Sequence, residues 1–229
     1  MKTSDQLLIG LIVIIFAAIF GTATVLKGEY AKIDQDDPYY GYDTDTLADF
    51  SAIKLAGKYP NLIQIQVGDQ CEIKMRDTKP LRIKWTIRND TLVLTYPEAD
   101  FPNWFTVQET LAGRAGLYIF APKLTSVQAN STTCKLSGWD LENLELIQQG
   151  ENSGMALTES TISNLSATVT QGAMMRIEQP NQIEQATVEV QDLSTFTAHP
   201  SAIDSISIQA DSTAQVQIPG YLLHQSESR

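Results

Sequence analysis

The first part of the chain is uniformly apolar, whereas the rest alternates between apolar and polar residues. Residues 7–26 contain no charged side chain. At a rise of about 1.5 Å per residue, a helix of this length crosses the hydrocarbon core of one bilayer. We therefore expect a single transmembrane helix within residues 1–26. A cleaved signal peptide is the alternative, because Gly21, Thr22 and Ala23 are small enough for a cleavage site.

A polar segment follows the apolar run. Residues 27–46 contain five Asp and four Tyr residues. We interpret this segment as an acidic tether beside the membrane, with tyrosines near the lipid headgroups. A calcium loop is the alternative, since calcium takes several carboxylate oxygens. Counted from Asp34, however, the segment lacks the Gly at position 6 and the Glu at position 12 of an EF-hand loop.

From residue 47 onward the pattern has a period of two. Alternating segments at 62–67, 71–75, 81–87 and 91–96 are separated by turn-forming residues, which predicts strands. No amphipathic helix is predicted after residue 26. Residues 97–116 break the pattern and are interpreted as a long insertion between two halves of one β domain.

The second half of the chain repeats. A four-residue unit with apolar first and last positions begins at residues 121, 141, 162, 183 and 203, in steps of 20 or 21. A second landmark follows each unit, at Leu136, Leu157, Ile177, Thr197 and Ile218. A period near 20 with short strands predicts a β-solenoid over residues 47–223, with equivalent positions stacked in ladders. Residues 224–229 form a tail. A β-sandwich and a leucine-rich repeat are the alternatives.

Charge narrows the function. The formal net charge is −11, which argues against a nucleic-acid partner, since phosphate binding needs clustered cations. Residues 136–228 hold one basic residue, Arg176, and 12 acidic ones. With only two His and two Cys, we predict no catalytic, metal-binding or cofactor-binding residues. A degenerate polysaccharide-active enzyme using Asp192, Asp204 and Asp211 is the less favoured alternative to turn-capping by these residues.

The two cysteines leave two interpretations open. Cys71 and Cys134 lie 63 residues apart, each in an alternating segment. Outside the cytoplasm they are able to form a disulfide. Otherwise they are separate buried thiols that act as small apolar side chains.

The start of the β region resembles a known family. Residues 47–57, 62–69 and 81–92, together with the repeated Asn-Ser and Asp-Ser turns, are similar to the GIN-domain family of autotransporter adhesin head domains. The apolar segment followed by residues 37–42 resembles small envelope proteins of Bacteroidota. The resemblance implies a right-handed single-stranded β-helix outside the cytoplasm, an adhesin-like role and no catalytic residues to carry over.

These observations combine into one functional hypothesis. We expect a non-catalytic protein of the inner membrane with a single span and a periplasmic β domain that contacts an envelope protein or a glycan. The aromatic residues of the Pro-containing segment 100–105 are the candidate contact residues, namely Phe101, Trp104 and Phe105. A sensory or regulatory ectodomain of an inner-membrane complex is the alternative.

Overall fold

The structure is a computed structural model that describes residues 3–31, 34, 37–76, 83–96 and 105–222. The chain divides into two compact units, residues 1–42 and 43–229. The first unit contains a long helix, and the second is built almost entirely of strands. The predicted boundaries of the tether, the β domain and the C-terminal tail stay predictions.

The N-terminal helix, α1 (Thr3–Tyr30), is long and apolar enough to cross a membrane between Ile9 and Tyr30, and none of that stretch is buried. Two hydroxyl groups within it donate to the helix backbone: Thr22 to the Ala18 carbonyl at 2.9 Å and Thr24 to the Phe20 carbonyl at 2.5 Å. Polar groups in lipid need such internal partners. The predicted apolar helix is therefore confirmed. A signal sequence has the same length and composition, so retention of the helix stays a prediction.

The rest of the fold consists of 17 strands and one short helix, α2 (Val107–Ala112), over the described residues. The strands before α2 are β1 (Tyr42–Thr46), β2 (Ala52–Ala56), β3 (Leu62–Val67), β4 (Glu72–Arg76), β5 (Lys84–Arg88) and β6 (Thr91–Thr95). Those after it are β7 (Ala115–Ala121), β8 (Ser126–Asn130), β9 (Cys134–Ser137), β10 (Asp140–Gln149), β11 (Gly154–Thr158), β12 (Ser160–Thr170), β13 (Met174–Ile177), β14 (Asn181–Val190), β15 (Thr195–Ala198), β16 (Ile203–Ala210) and β17 (Gln215–Gln217).

The strands form two sheets. The nine-stranded sheet has the order β1-β4-β7-β3-β9-β11-β13-β15-β17, and the eight-stranded sheet has the order β16-β14-β12-β10-β8-β2-β6-β5. In the repeat region, successive strands of the chain alternate between the two sheets. Their apolar faces form one continuous buried core, which includes Trp139, Phe50 and Phe196.

The repeat of 20 or 21 residues sets the register of the long strands. Leu144 of β10 pairs with Leu165 of β12, which pairs with Ala186 of β14, which pairs with Ile206 of β16. All four side chains are buried. One such strand cannot bury its own apolar residues, so each covers those of its neighbour in a parallel pair. The predicted stacking of these positions is confirmed.

The second landmark was placed correctly at three positions and wrongly at a fourth. Leu136, Leu157 and Ile177 pair in successive strands β9, β11 and β13, and all are buried. The next member of the row is Ala198, not Thr197. Side chains alternate along a strand, so an error of one residue moves the assignment to the opposite face. Thr197 instead pairs with Arg176 on that face.

The predicted fold class, a right-handed single-stranded β-helix, is wrong. The described strands form two open, mixed sheets that contain antiparallel as well as parallel pairs. β4 pairs antiparallel with β7, and β5 pairs antiparallel with β6. In addition, β2 lies between β6 and β8, so spatial order departs from chain order. The period identifies which positions stack in the second half, whereas these pairings belong to the first half, which does not repeat.

A substitution in the ladder tests this arrangement. Leu165→Asp places a carboxylate between Leu144 and Ala186, where it has no partner. We expect the free energy of unfolding to fall by roughly 3–5 kcal/mol, a large share of the stability of a typical domain. Urea unfolding followed by circular dichroism measures the change. Ser166→Asp is the matched control, because its side chain is exposed on the same strand, and equal midpoints for the two variants would refute the ladder.

Candidate functional site

One of the three predicted contact residues lies in the described part of the chain. Phe105 is 65% exposed, although it is a large apolar side chain. Phe101 and Trp104 lie outside the described residues. Phe105 immediately precedes α2, within the stretch predicted to be an insertion.

Phe105 lies at a polar cleft of about 150 Å³. The cleft is lined by Lys58 and Tyr59, by Thr110 of α2, and by Glu151 and Asn152 of the turn before β11. Lys58, Glu151 and Asn152 are exposed, whereas Tyr59 is buried. The chain thus brings together three segments that are distant in sequence around one exposed aromatic ring.

A capping box positions Phe105. The Thr106 hydroxyl accepts from the Glu109 backbone N–H at 3.2 Å, and the Thr106 backbone N–H donates to the Glu109 carboxylate at 2.7 Å. These reciprocal bonds fix the point at which the chain enters α2. The bond from the Thr106 backbone, followed by that from its hydroxyl, lowers the pKa of Glu109. The pattern Thr-x-x-Glu at 106–109 was the sequence signal for this helix, and our expectation of no helix after residue 26 was wrong.

The helix is held on the outer surface of the nine-stranded sheet. Leu111 is buried against Leu62, Ala115 and Ala156, in a small cluster separate from the main core, and Val107 packs against it. Gly154 of β11 lies directly below the helix, and a Cβ atom there would collide with Val107 Cγ1. Small residues on β11 therefore leave the space in which α2 docks.

The opposite side of the cleft is a tight turn. Asn152 has a φ of +55°, and Gly150 has a φ of +95°. A Cβ on Gly150 would lie 2.6 Å from the Ser131 hydroxyl oxygen, so this position favours glycine. The neighbouring turns stack closely, which holds Glu151 and Asn152 at the cleft.

Behind the cleft lies a pair of buried tyrosines. The rings of Tyr59 and Tyr96 stack with centroids 4.5 Å apart. Burial, followed by the proximity of Tyr59 and Cys134, raises the pKa of Tyr96 well above its usual value. Both phenols therefore form a rigid, uncharged wall, and Tyr59 is the member of the pair that lines the cleft.

The composition of this cleft suits a neutral polar ligand. The exposed face of Phe105 offers apolar contact, the Lys58 ammonium donates hydrogen bonds and the Glu151 carboxylate accepts them, while the Asn152 amide does both. Lys58 and Glu151 bring opposite charges, so neither sign of ligand charge is strongly favoured. The side chains that line the cleft therefore fit a ligand with apolar faces and many hydroxyl groups.

Both cysteines are free thiols and both are buried. Of the two interpretations left open by the sequence, the structure therefore shows the separate thiols. Burial raises the pKa of Cys134 to about 12. Its thiol is protonated at neutral pH and does not serve as a nucleophile.

The acidic residues considered for catalysis occupy turns and an exposed strand face. Asp211 accepts from the Thr213 backbone N–H at 2.7 Å and the Ala214 N–H at 2.9 Å, and so caps its own turn. It also accepts from the Asp192 N–H of the preceding turn at 2.8 Å. Asp204 is exposed on β16. The geometry of Asp211 therefore matches the turn-capping interpretation.

The remaining candidate residues are scattered. His199 is exposed, with Nδ1 2.8 Å from the Pro200 carbonyl oxygen, while His224 lies outside the described residues. Arg176 lies 3.4 Å from the Glu178 carboxylate, and Lys135 lies 3.8 Å from the same group. Across the described part of the chain, no three His, Cys, Asp or Glu side chains are grouped as metal ligands would be.

Comparisons with known proteins bear on the fold. No family model and no curated protein matches the sequence, so the resemblance to the GIN-domain family is not confirmed. A solved structure of a candidate adhesin from Bacteroides fragilis overlays with a TM-score of 0.50 at 10% identity, covering 77% of this chain and 91% of that one. The chain shares its fold with this bacterial protein.

Two further solved structures overlay less well. A candidate adhesin from Parabacteroides merdae gives a TM-score of 0.42 at 12% identity, covering 77% of this chain and 94% of that one. A candidate lipid-binding protein from Parabacteroides distasonis gives 0.38 at 7% identity, with 77% and 92% coverage. At these identities the comparisons concern fold alone, and we use only the Bacteroides fragilis overlay.

The Asp211 cap predicts a dependence of stability on pH. The Asp192 N–H, followed by the Thr213 hydroxyl and backbone N–H, lowers the pKa of Asp211 from 3.8 to about 2. Its stabilising effect is therefore present above pH 3.8 and is lost as the pH falls towards 2. We expect the difference in Tm between the wild type and Asp211→Ala to shrink over that interval. Thermal unfolding at a series of pH values measures it, and Asp204→Ala is the control carboxylate. A constant difference would contradict the assignment.

Proposed function

We propose that this protein is a non-catalytic, adhesin-like component of a bacterial cell envelope. In this proposal α1 anchors it in the inner membrane by a single span, and the β domain lies in the periplasm, where the cleft beside Phe105 binds a neutral glycan. The GIN-like resemblance of residues 47–92 and the Bacteroidota-like N-terminal region support this placement.

The observation that carries the proposal is the exposed ring of Phe105 at a polar cleft. Large aromatic side chains are usually buried, and an exposed one on a rigid scaffold favours ligand contact. Phe105 is held in place from both directions, by the capping box at Thr106 and by the docking of Leu111 on the sheet. A sugar ring stacked on Phe105 would present its hydroxyl groups to Lys58, Glu151 and Asn152.

The fold and the anchor support an envelope location. The overlay with the Bacteroides fragilis candidate adhesin covers most of both chains. The long apolar helix is suited to membrane attachment. Residues 136–228, with 12 acidic side chains and one basic one, keep the domain soluble and repel acidic polysaccharides and lipid headgroups. Neutral glycans are therefore the ligands we favour.

Three features support a binding role rather than catalysis. The Cys134 thiol has a pKa of about 12 and is fully buried. The Asp211 carboxylate is occupied in capping backbone amides. Arg176, the basic residue of the repeat region, is paired with Glu178. Each of these groups has a structural role that accounts for its position.

A glycan-binding assay tests the proposal. The full chain in detergent micelles is applied to an array of neutral and acidic bacterial envelope glycans. We expect binding to neutral glycans, and we expect Phe105→Ala to weaken it by about tenfold, because stacking on an aromatic ring contributes on the order of 1 kcal/mol. Tyr40→Ala is the matched control, since it removes an aromatic ring that is 47% exposed and outside the cleft.

Two results would contradict the proposal. One is the lack of binding to any glycan by the wild-type chain. The other is equal binding by the wild type and Phe105→Ala, which would place the contact surface elsewhere. Circular dichroism of each variant verifies that the fold is unchanged.

A further inference from the structure

The two sheets end together at both extremities of the β domain. At one end lie β1 and β5, and at the other end lie β17 and β16. We call these the β5 end and the β16 end. Among the described residues, no strand pairs with the outer side of β5 or of β16. Unpaired edges of this kind are templates for pairing with another chain.

The core is incompletely covered at the β16 end. In the nine-stranded sheet, Met175 and Phe196 are fully buried, whereas Val216, the next residue of the same row, is 37% exposed. In the eight-stranded sheet, Val188 is 1% exposed, whereas its partner Ile208 on β16 is only partly buried. Each apolar row therefore continues to the last strand and lacks the neighbour that covers it elsewhere.

The β5 end has the same property. Trp85 and Ile87 on β5 and Met75 on β4 pack against the main core but are only partly buried. Leu94 on β6, which pairs with Trp85, is fully buried. Both ends thus expose apolar side chains that are extensions of one core, and each end is able to supply the covering layer that the other lacks.

Charge favours joining one end to the other. Lys84 and Arg88 are exposed on β5, whereas the charged residues described on and next to β16 are Asp204 and Asp211, both exposed. Like ends would place Asp204 against Asp204, or Arg88 against Arg88, and would repel each other. Opposite ends attract.

The other sheet is compatible with the same junction. The exposed acids Asp43 and Asp45 on β1 would meet β17, which carries no charge. Glu72 on β4 is paired internally with Lys74 at 3.2 Å. The attraction therefore comes from the eight-stranded sheet, and the nine-stranded sheet adds no repulsion between strands.

Strand direction fits as well. The strands from β6 to β16 in the eight-stranded sheet are all parallel, and β5 alone is antiparallel to its neighbour β6. A second molecule in the same orientation would thus pair its β5 antiparallel to β16. In that pairing Arg88, at the end of β5, lies near Asp204, at the start of β16. The β16 sequence, Ile203–Ala210, contains no Pro or Lys to block such pairing.

We propose that the β16 end of this protein binds the β5 end of a second copy, so that the copies associate head to tail. A contact between two different surfaces of the same chain leaves one of each unoccupied and continues to further copies. Anchored copies would form rows that repeat the cleft beside Phe105 along the envelope.

Sedimentation velocity of the full chain in detergent micelles tests the proposal. We expect the mass of the wild type to rise with concentration. Ser207→Lys places a cation on the exposed face of β16, where it faces Lys84 and Arg88 of the next copy, so association should need about tenfold higher concentration. Ser166→Lys is the matched control, because Ser166, Thr187 and Ser207 are in one exposed row and β12 has strands on both sides.

A mixing experiment distinguishes head-to-tail binding from other modes. Arg88→Glu blocks the β5 end, and Ser207→Lys blocks the β16 end. Each variant alone should be mostly monomeric, whereas the mixture should give one-to-one dimers through the remaining pair of ends. A wild type that stays monomeric at all concentrations, a Ser207→Lys chain that associates like Ser166→Lys, or a mixture that stays monomeric would each overturn the proposal. Association through α1 alone would be seen as the second of these results.

Discussion

The structure depends on the burial of apolar side chains in parallel rows, one residue from each successive strand. No strand of the repeat region covers its own apolar face, and Leu165 is buried because Leu144 and Ala186 lie on either side. A strand sequence that breaks the spacing of 20 or 21 residues would move polar residues into the core. This constraint explains why Ser, Thr and Gln are tolerated on the exposed faces while the inner positions stay apolar.

The same constraint determines what the surface is able to do. Strands fixed by their neighbours form a rigid support, and variation is then confined to turns and to attached segments such as α2. The cleft beside Phe105 is built from two turns and this helix, and none of its residues belongs to a buried row. The constraint also leaves uncovered rows at the first and last strands, as the exposure of Val216 shows.

The sequence predicted the stacked positions well because a repeated apolar pattern reports burial directly. It failed where the chain does not repeat: the antiparallel pairings of β4 and β5 depend on contacts between distant segments and leave no periodic signal. The assignment of Thr197 instead of Ala198 shows how one residue decides the face. For the site, Phe105 was identified because it is an aromatic residue in a Pro-containing segment. Lys58, Glu151 and Asn152 were missed, because only the fold brings them beside it.

The most direct test of the account measures the register of the stacked strands. Glu145, Ser166 and Thr187 occupy one row of three adjacent strands. Neighbouring strands lie about 4.8 Å apart, so positions 145 and 187 should be separated by about 10 Å of backbone. Spin labels on Glu145→Cys and Thr187→Cys report this distance by electron paramagnetic resonance, with Cys71 and Cys134 buried and unlabelled. The account predicts strong dipolar broadening, and a label separation above about 20 Å, twice the expected spacing, would contradict it.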